Sequence, residues 1–279
     1  MYRIQRTIIP ALAIASLALG MGSCQKKFDP NSYKPAETFG GFSASNEIGA
    51  SSLIAHFSFE GALIDSVSKT SATGTGTSYG TGVKGQALQI GLNNYATFIP
   101  TDAIKQLQSM TIAYWVNTPI NNSGIQEPVC FVNSTQFWSN LDMYFDGQQD
   151  ASSVFKMHLY NTAQQDAWLT NWTLSNPWGI WMHIALTYDA PTNKFIFYVN
   201  GQQVGTATQA GFGNLGFVNF PAILFGTIQF QTTPSMTSGA TSQTWASFLL
   251  GAMDEVRIYN KALSGSDVKA LFQLENLGK

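Results

Sequence analysis

Residues 178–204, WGIWMHIALTYDAPTNKFIFYVNGQQV, limit the possible folds more than any other stretch. Trp181, His183, Ala185 and Thr187 share one parity, and Met182, Ile184, Leu186 and Tyr188 share the other. Successive side chains of a strand point to opposite faces, so the run predicts a β-strand. Asp189 to Asn193 (DAPTN) is turn chemistry, because Pro fixes φ while Asp and Asn bond their own backbone. A second strand follows over Phe195 to Val199 and stops at Asn200-Gly201, a pair suited to a type I′ turn. Gln202 opens a third strand. The stretch is therefore an antiparallel meander rich in β-branched and aromatic residues.

The rest of the chain repeats this pattern. Apolar or alternating runs at residues 53–59, 85–90, 95–99, 110–116, 129–132, 141–145, 154–160, 222–226 and 247–259 predict further strands. Residues 101–108 suit a short helical turn. Residues 65–82, 117–128, 161–178 and 231–244 have the composition of loops. The convincing helix is terminal: Ser264 can cap it, Asp267 sits at the third position, and Val268, Leu271, Phe272 and Glu275 form a stripe. Roughly a dozen short strands without βα alternation predict an all-β, two-sheet antiparallel sandwich or jelly roll. With 11% charged residues and a net charge of −2, the chain has no basic surface for nucleic acid.

The amino terminus reads as a targeting segment over residues 1–23. Arg3 and Arg6 precede an apolar run from Ile8 to Leu19, too short for a comfortable membrane span. Leu19-Gly20-Met21-Gly22-Ser23-Cys24 resembles a bacterial lipobox, which makes Cys24 the expected lipidation site. The chain has two cysteines, so a lipidated Cys24 leaves Cys130 without an intrachain partner. Cys130 reads as a small core residue. Residues 24–50, with Pro30, Pro35, Gly40 and Gly41, read as a flexible tether ahead of a domain over 51–279.

Several motifs then occur in a familiar order. They are LIAHFSFEG from Leu53, DSVS from Asp65, GVKGQAL from Gly82, MTIAYWV from Met110, W-x-H-I-A-x-T-Y-D from Trp181, and GAMDEVRIYNKAL from Gly251. Together they resemble the laminin-G-like (concanavalin A-like lectin/glucanase) jelly rolls. The resemblance implies two antiparallel sheets, and a structural calcium ion held here by Glu60, Asp65 and Asp254; hard cations want several oxygen ligands. The plainer alternative is that Glu60 is solvated, and that Asp254 caps a turn and pairs with Arg257.

Carbohydrate is recognised by aromatic rings flanked by amides and carboxylates. Trp138, Trp168, Trp172 and Trp178, next to Phe137 and Asp142, supply such a set from segments read as loops or loop edges. Trp115 and Trp181 read as core. Catalysis by a glycosidase of this class needs two nearby carboxylates. The E-x-D-x-E string that related glucanases carry is absent; Asp142 and Asp146 share a strand face but lack a Glu acid. His56, His158 and His183 are scattered, and His183 reads as a hydrogen-bonded structural residue. The favoured reading is a lipid-anchored protein of the cell envelope, in the outer membrane of a Gram-negative bacterium. It binds a polysaccharide or other glycan without cleaving it and touches membrane only through its anchor. A protein-binding adhesion module is the alternative; a glycoside hydrolase or lyase comes third.

Overall fold

A computed structural model describes residues 37–120, 122–149 and 151–279. The expected signal segment, Cys24 and tether residues 24–36 lie outside the described residues. The strands are β1 Leu53–Phe57, β2 Thr73–Thr75, β3 Ser78–Thr81, β4 Gln86–Ile90, β5 Tyr95–Phe98, β6 Met110–Asn117, β7 Gln126–Phe131 and β8 Leu141–Gln149. They continue as β9 Ser152–Tyr160, β10 Asp166–Ser175, β11 Met182–Asp189, β12 Lys194–Val199, β13 Gln202–Thr208, β14 Ile223–Phe225 and β15 Gly251–Tyr259. Two helices, α1 Asp102–Lys105 and α2 Gly265–Asn276, complete the set.

The strands form two antiparallel sheets, as the alternation predicts. One has eight strands in the order β13-β12-β11-β6-β15-β4-β3, with β1 also paired to β15; the other has seven, β10-β9-β8-β7-β14-β5-β2. The β11–β12–β13 meander is present, and Asn200 (φ 50°) and Gly201 (φ 71°) form its tight turn. Gly201 also lets α2 dock: a Cβ there would lie 3.0 Å from Lys269 Cα.

Parity decides which side chains fill the shared core. Ile112, Tyr114, Ile184, Leu186 and Met253 of the larger sheet meet Met143, Phe145, Phe155, Met157 and Phe225 of the smaller in one apolar cluster. Close aromatic pairs run through it, with Phe155 stacked on Phe197 at 5.0 to 5.3 Å from its neighbours' ring centres (Phe145 and Phe197). The opposite parity of the larger sheet, including Trp115, Ala185 and Tyr198, is covered by α2, whose Val268, Leu271 and Leu274 are buried. Ser264 caps α2 by accepting the Asp267 N–H.

Residues 37–50 correct the expected boundary at residue 51. Phe39 and Phe42 pack beside α2, Ile48 and Ser45 are fully buried, and Ser45 hydrogen-bonds the Lys279 carbonyl. Gly40 and Gly41, which suggested a tether, serve a turn here at positive φ.

Under α2 lies a buried ionic network. Arg257 Nε donates to Glu275 (2.6 Å), its Nη2 donates to Glu255 (2.6 Å), and Trp115 Nε1 donates to Glu275 (2.8 Å). Burial lifts the Glu275 pKa to about 7, while Arg257 pulls it down. Breaking a buried pair leaves an uncompensated charge, so Glu275→Ala is expected to lose about 3–5 kcal/mol of stability. Urea denaturation measures this, and a loss under about 1 kcal/mol would show that the network is not a structural tie.

Candidate functional site

The outer face of the seven-stranded sheet carries a row of side chains directly opposite one another. Cys130 on β7 pairs with Asp142 on β8, Asp142 with His158 on β9, and His158 with Trp168 on β10. The inward parity of β8 and β9 (Leu141, Met143, Phe145; Phe155, Met157, Leu159) fills the core, which aims Asp142 and His158 outward.

Trp168 and Trp172 lie in β10, not in an irregular loop. A bulge between Leu169 and Trp172 breaks the alternation that would have marked the strand. It also sends two tryptophans of the same parity to opposite faces. Trp168 stays outside over His158; Trp172 turns inward and stacks on Phe197 (ring centres 4.7 Å apart, 13° between planes). Trp178 likewise packs against the core, beside Phe145. Of the expected binding tryptophans, the structure therefore brings together Trp138 and Trp168 and assigns Trp172 and Trp178 to packing.

Trp138 and Trp168 meet edge to face at 5.2 Å, and Trp138 stacks on Tyr144. One face of Trp168 lies on the His158 ring at 4.2 Å, and the indole stays 43% exposed. These two residues, with Gln136, Phe137, His158, Tyr160 and Asp166, line a hollow of about 140 Å³. Trp245 extends the aromatic surface, 5.9 Å from Trp138 and 43% exposed. It sits in the 231–244 loop's continuation, and no sequence periodicity pointed to it.

A carboxylate clamp holds the histidine. Asp142 Oδ2 lies 2.8 Å from His158 Nδ1 and accepts the Ser139 N–H (2.9 Å); Asp166 Oδ1 lies 2.7 Å from His158 Nε2. With a carboxylate at each ring nitrogen, both nitrogens donate and the ring is an imidazolium. Burial pulls the His158 pKa down, but the bonds and charges of Asp142 and Asp166 outweigh it, and the net shift is upward. Separately, Asp146 pairs with Lys156 on the same face.

Glu127 is an addition that the sequence reading missed, because it placed 117–128 in a loop. β7 instead starts at Gln126 and is bulged around Pro128. Glu127 is fully buried, and its Oε1 accepts the Met143 N–H (3.2 Å). Burial, then the charge of Asp142, holds its pKa well above the usual carboxylate range. Its Oε2 and Asp142 Oδ1 are buried without other partners, which a proton on Glu127 facing Asp142 accounts for. Among the described residues, Glu127, Cys130 and Asp142 form the one trio with ligand atoms within 4.8 Å of one another. Burial pushes the Cys130 thiol up as well. Two protonated ligands in an enclosed spot suit a shared proton better than a metal ion.

Among the described residues, Glu60, Asp65 and Asp254 do not form a trio with ligand atoms within 4.8 Å of one another, and each accepts hydrogen bonds from backbone amides. Glu60 accepts the Gln86 N–H; Asp65 accepts those of His56, Val67 and Ser68; Asp254 accepts those of Val83, Lys84 and Glu255. Asp254 does not pair with Arg257. The His183 imidazole is buried with neither ring nitrogen hydrogen-bonded, its Nε2 3.8 Å from Glu275 Oε2, and burial together with Arg257 lowers its pKa to about 3. Trp115 is core, whereas Trp181 is half-buried and lines a shallow hollow of the other sheet with Gln89 and Asn117.

A family model for the concanavalin A-like lectin/glucanases superfamily matches residues 90–269. The chain belongs to that superfamily. Comparison with curated proteins gives no match. Among solved structures, the fold is similar to domain 4 of AbnA, a GH43 extracellular arabinanase from Geobacillus stearothermophilus in complex with arabinotriose. That match has 19% identity and a TM-score of 0.55, and covers 79% of this chain and 98% of that one. It is also similar to a structure of botulinum neurotoxin type C, whose cell entry depends on two ganglioside molecules. That match has 13% identity and a TM-score of 0.60, and covers 83% of this chain and 53% of that one.

The clamp has a pH signature. A His whose folded pKa is raised contributes stability that is complete below its unfolded pKa and is lost as pH rises through the folded value. The stability gap between wild type and His158→Gln is therefore expected to be widest below about pH 6.5, the ordinary His value, and to narrow as pH rises above it. Urea midpoints across that range test this, and a gap that widens with pH would refute the charged-imidazole assignment.

Proposed function

We propose that this chain binds carbohydrate without cleaving it, as a lipid-anchored protein of the bacterial cell envelope. The observation that carries the reading is the Trp168 indole, with one face fixed on His158 and the rest open to solvent beside the exposed Asp166 carboxylate. A rigid aromatic plane takes the C–H face of a sugar ring, and Asp166, Gln136 and Tyr160 at its rim can bond hydroxyls. Little of the pocket has to be ordered on binding, because the hydrogen-bonded and stacked histidine has already fixed the platform.

Binding is favoured over cleavage by the state of the carboxylates. Hydrolysis needs an acid and a second carboxylate that both reach the glycosidic bond. Asp142 is fully buried and Asp166 shares its charge with the same imidazolium. The arabinanase domain solved with arabinotriose supports the reading as a neighbour in fold. Envelope anchoring rests on the lipobox-like residues before Cys24.

Two experiments test these parts. On a glycan array and by calorimetry with the best array ligand, Trp168→Ala is expected to weaken binding roughly tenfold or more. Trp172→Ala should instead leave affinity intact and cost about 3 kcal/mol of stability. The opposite pattern would move the site to the other face of β10. For the anchor, wild type expressed in a Gram-negative host should partition into detergent and take up labelled fatty acid, and Cys24→Ala should do neither. Equal partitioning of the two proteins would remove the lipid.

A further inference from the structure

We infer that the hollow over Trp168 selects uncharged, hydroxyl-rich glycans and discriminates against carboxylated or sulfated ones. This rests on the carbohydrate reading above and narrows it to a ligand class. The clamp supplies the reason. Asp142 and Asp166 are two carboxylates facing one imidazolium, so the cluster keeps a negative charge when His158 is protonated and gains another when it is not. Its buried neighbour Glu127 adds no compensating cation.

Among the described residues, the lining of the hollow includes no Lys or Arg that could reverse that sign. Residues 37–279 contain nine Lys and Arg, and among β7, β8, β9 and β10 the single one is Lys156. Lys156 is paired with Asp146. Arg257 is buried on the other sheet, held by Glu255 and Glu275. An acidic sugar entering the hollow therefore meets Asp166 with no guanidinium or ammonium to bond it, whereas recognition of carboxylate or sulfate ordinarily relies on such donors.

Asp166 is also well suited to a neutral ligand. Its side chain is 55% exposed, its Oδ1 is bonded to His158, and its Oδ2 has no partner among the described residues. A carboxylate is purely an acceptor, so the free oxygen takes a hydroxyl proton, in a charge-assisted bond roughly twice as strong as a neutral one. Gln136 and Tyr160 complete a rim of neutral donors and acceptors.

The experiment uses the full chain on an array of neutral, uronic-acid-containing, sialylated and sulfated oligosaccharides. It is followed by titration with the best neutral binder and with its counterpart oxidised to a uronate at one residue. Wild type should bind the neutral member at least about tenfold tighter, and the ratio should shrink as salt rises, because screening weakens the repulsion. Asp166→Asn should weaken the neutral ligand and bring the ratio toward one. The wild-type salt series reads the same effect without any mutation. An acidic glycan bound as tightly as its neutral counterpart, or a ratio unchanged in Asp166→Asn and by salt, would overturn the inference while leaving carbohydrate binding intact. Failure to bind any glycan would instead overturn the parent reading, and this inference with it.

Discussion

A pleated strand has two faces, and in this protein both sheets must find a use for each. The inner faces are spent on one shared core, in which Phe57, Phe98, Phe145, Phe155 and Phe225 are fully buried. The outer faces are left without a third or fourth layer of sheet. The eight-stranded sheet meets this need with α2 and the segment around Ile48, tied down by Arg257 and Glu275. The seven-stranded sheet meets it partly with the loop carrying Ile228, Phe230 and Phe248, and partly with the Asp142–His158–Trp168 row. The candidate site occupies the part of that face left uncovered by the loop.

Both outer faces use buried charge, with different outcomes. Arg257 is enclosed and fully engaged, so its network binds one element to another. His158 is also buried, but one of its two carboxylates, Asp166, reaches solvent. The chain from Glu127 through Asp142 and His158 to Asp166 thus links an interior proton to the surface of the hollow. Every group along it holds the next in place. Stacking against Trp168 passes that rigidity to the exposed indole.

Much of the fold was legible in the sequence because period-2 alternation and turn residues coincide in the strands of the larger sheet. The Trp181–Val204 meander, the strand at Met110 and the Ser264 cap all match the structure. The site was legible only in part. Trp138, Trp168 and Asp142 were identifiable as residue types in a plausible segment. His158 was not linked to them, because its neighbours are cross-strand partners eight and sixteen residues away. The β10 bulge hid a strand and made Trp172 look equivalent to Trp168, and Pro128 disguised the start of β7. Glu60, Asp65 and Asp254 stand in separate motifs, and the backbone amides that bond each of them are not visible in a one-letter string.

The meeting of the domain's two ends has a further consequence. Ser45 and Glu37 lie against Lys279, so the polypeptide enters the domain on the α2 side. The aromatic hollow opens on the opposite sheet. Glu37 and the mouth of the hollow therefore belong to the outer faces of different sheets, so a label placed at Glu37 sits on the face away from the indole platform.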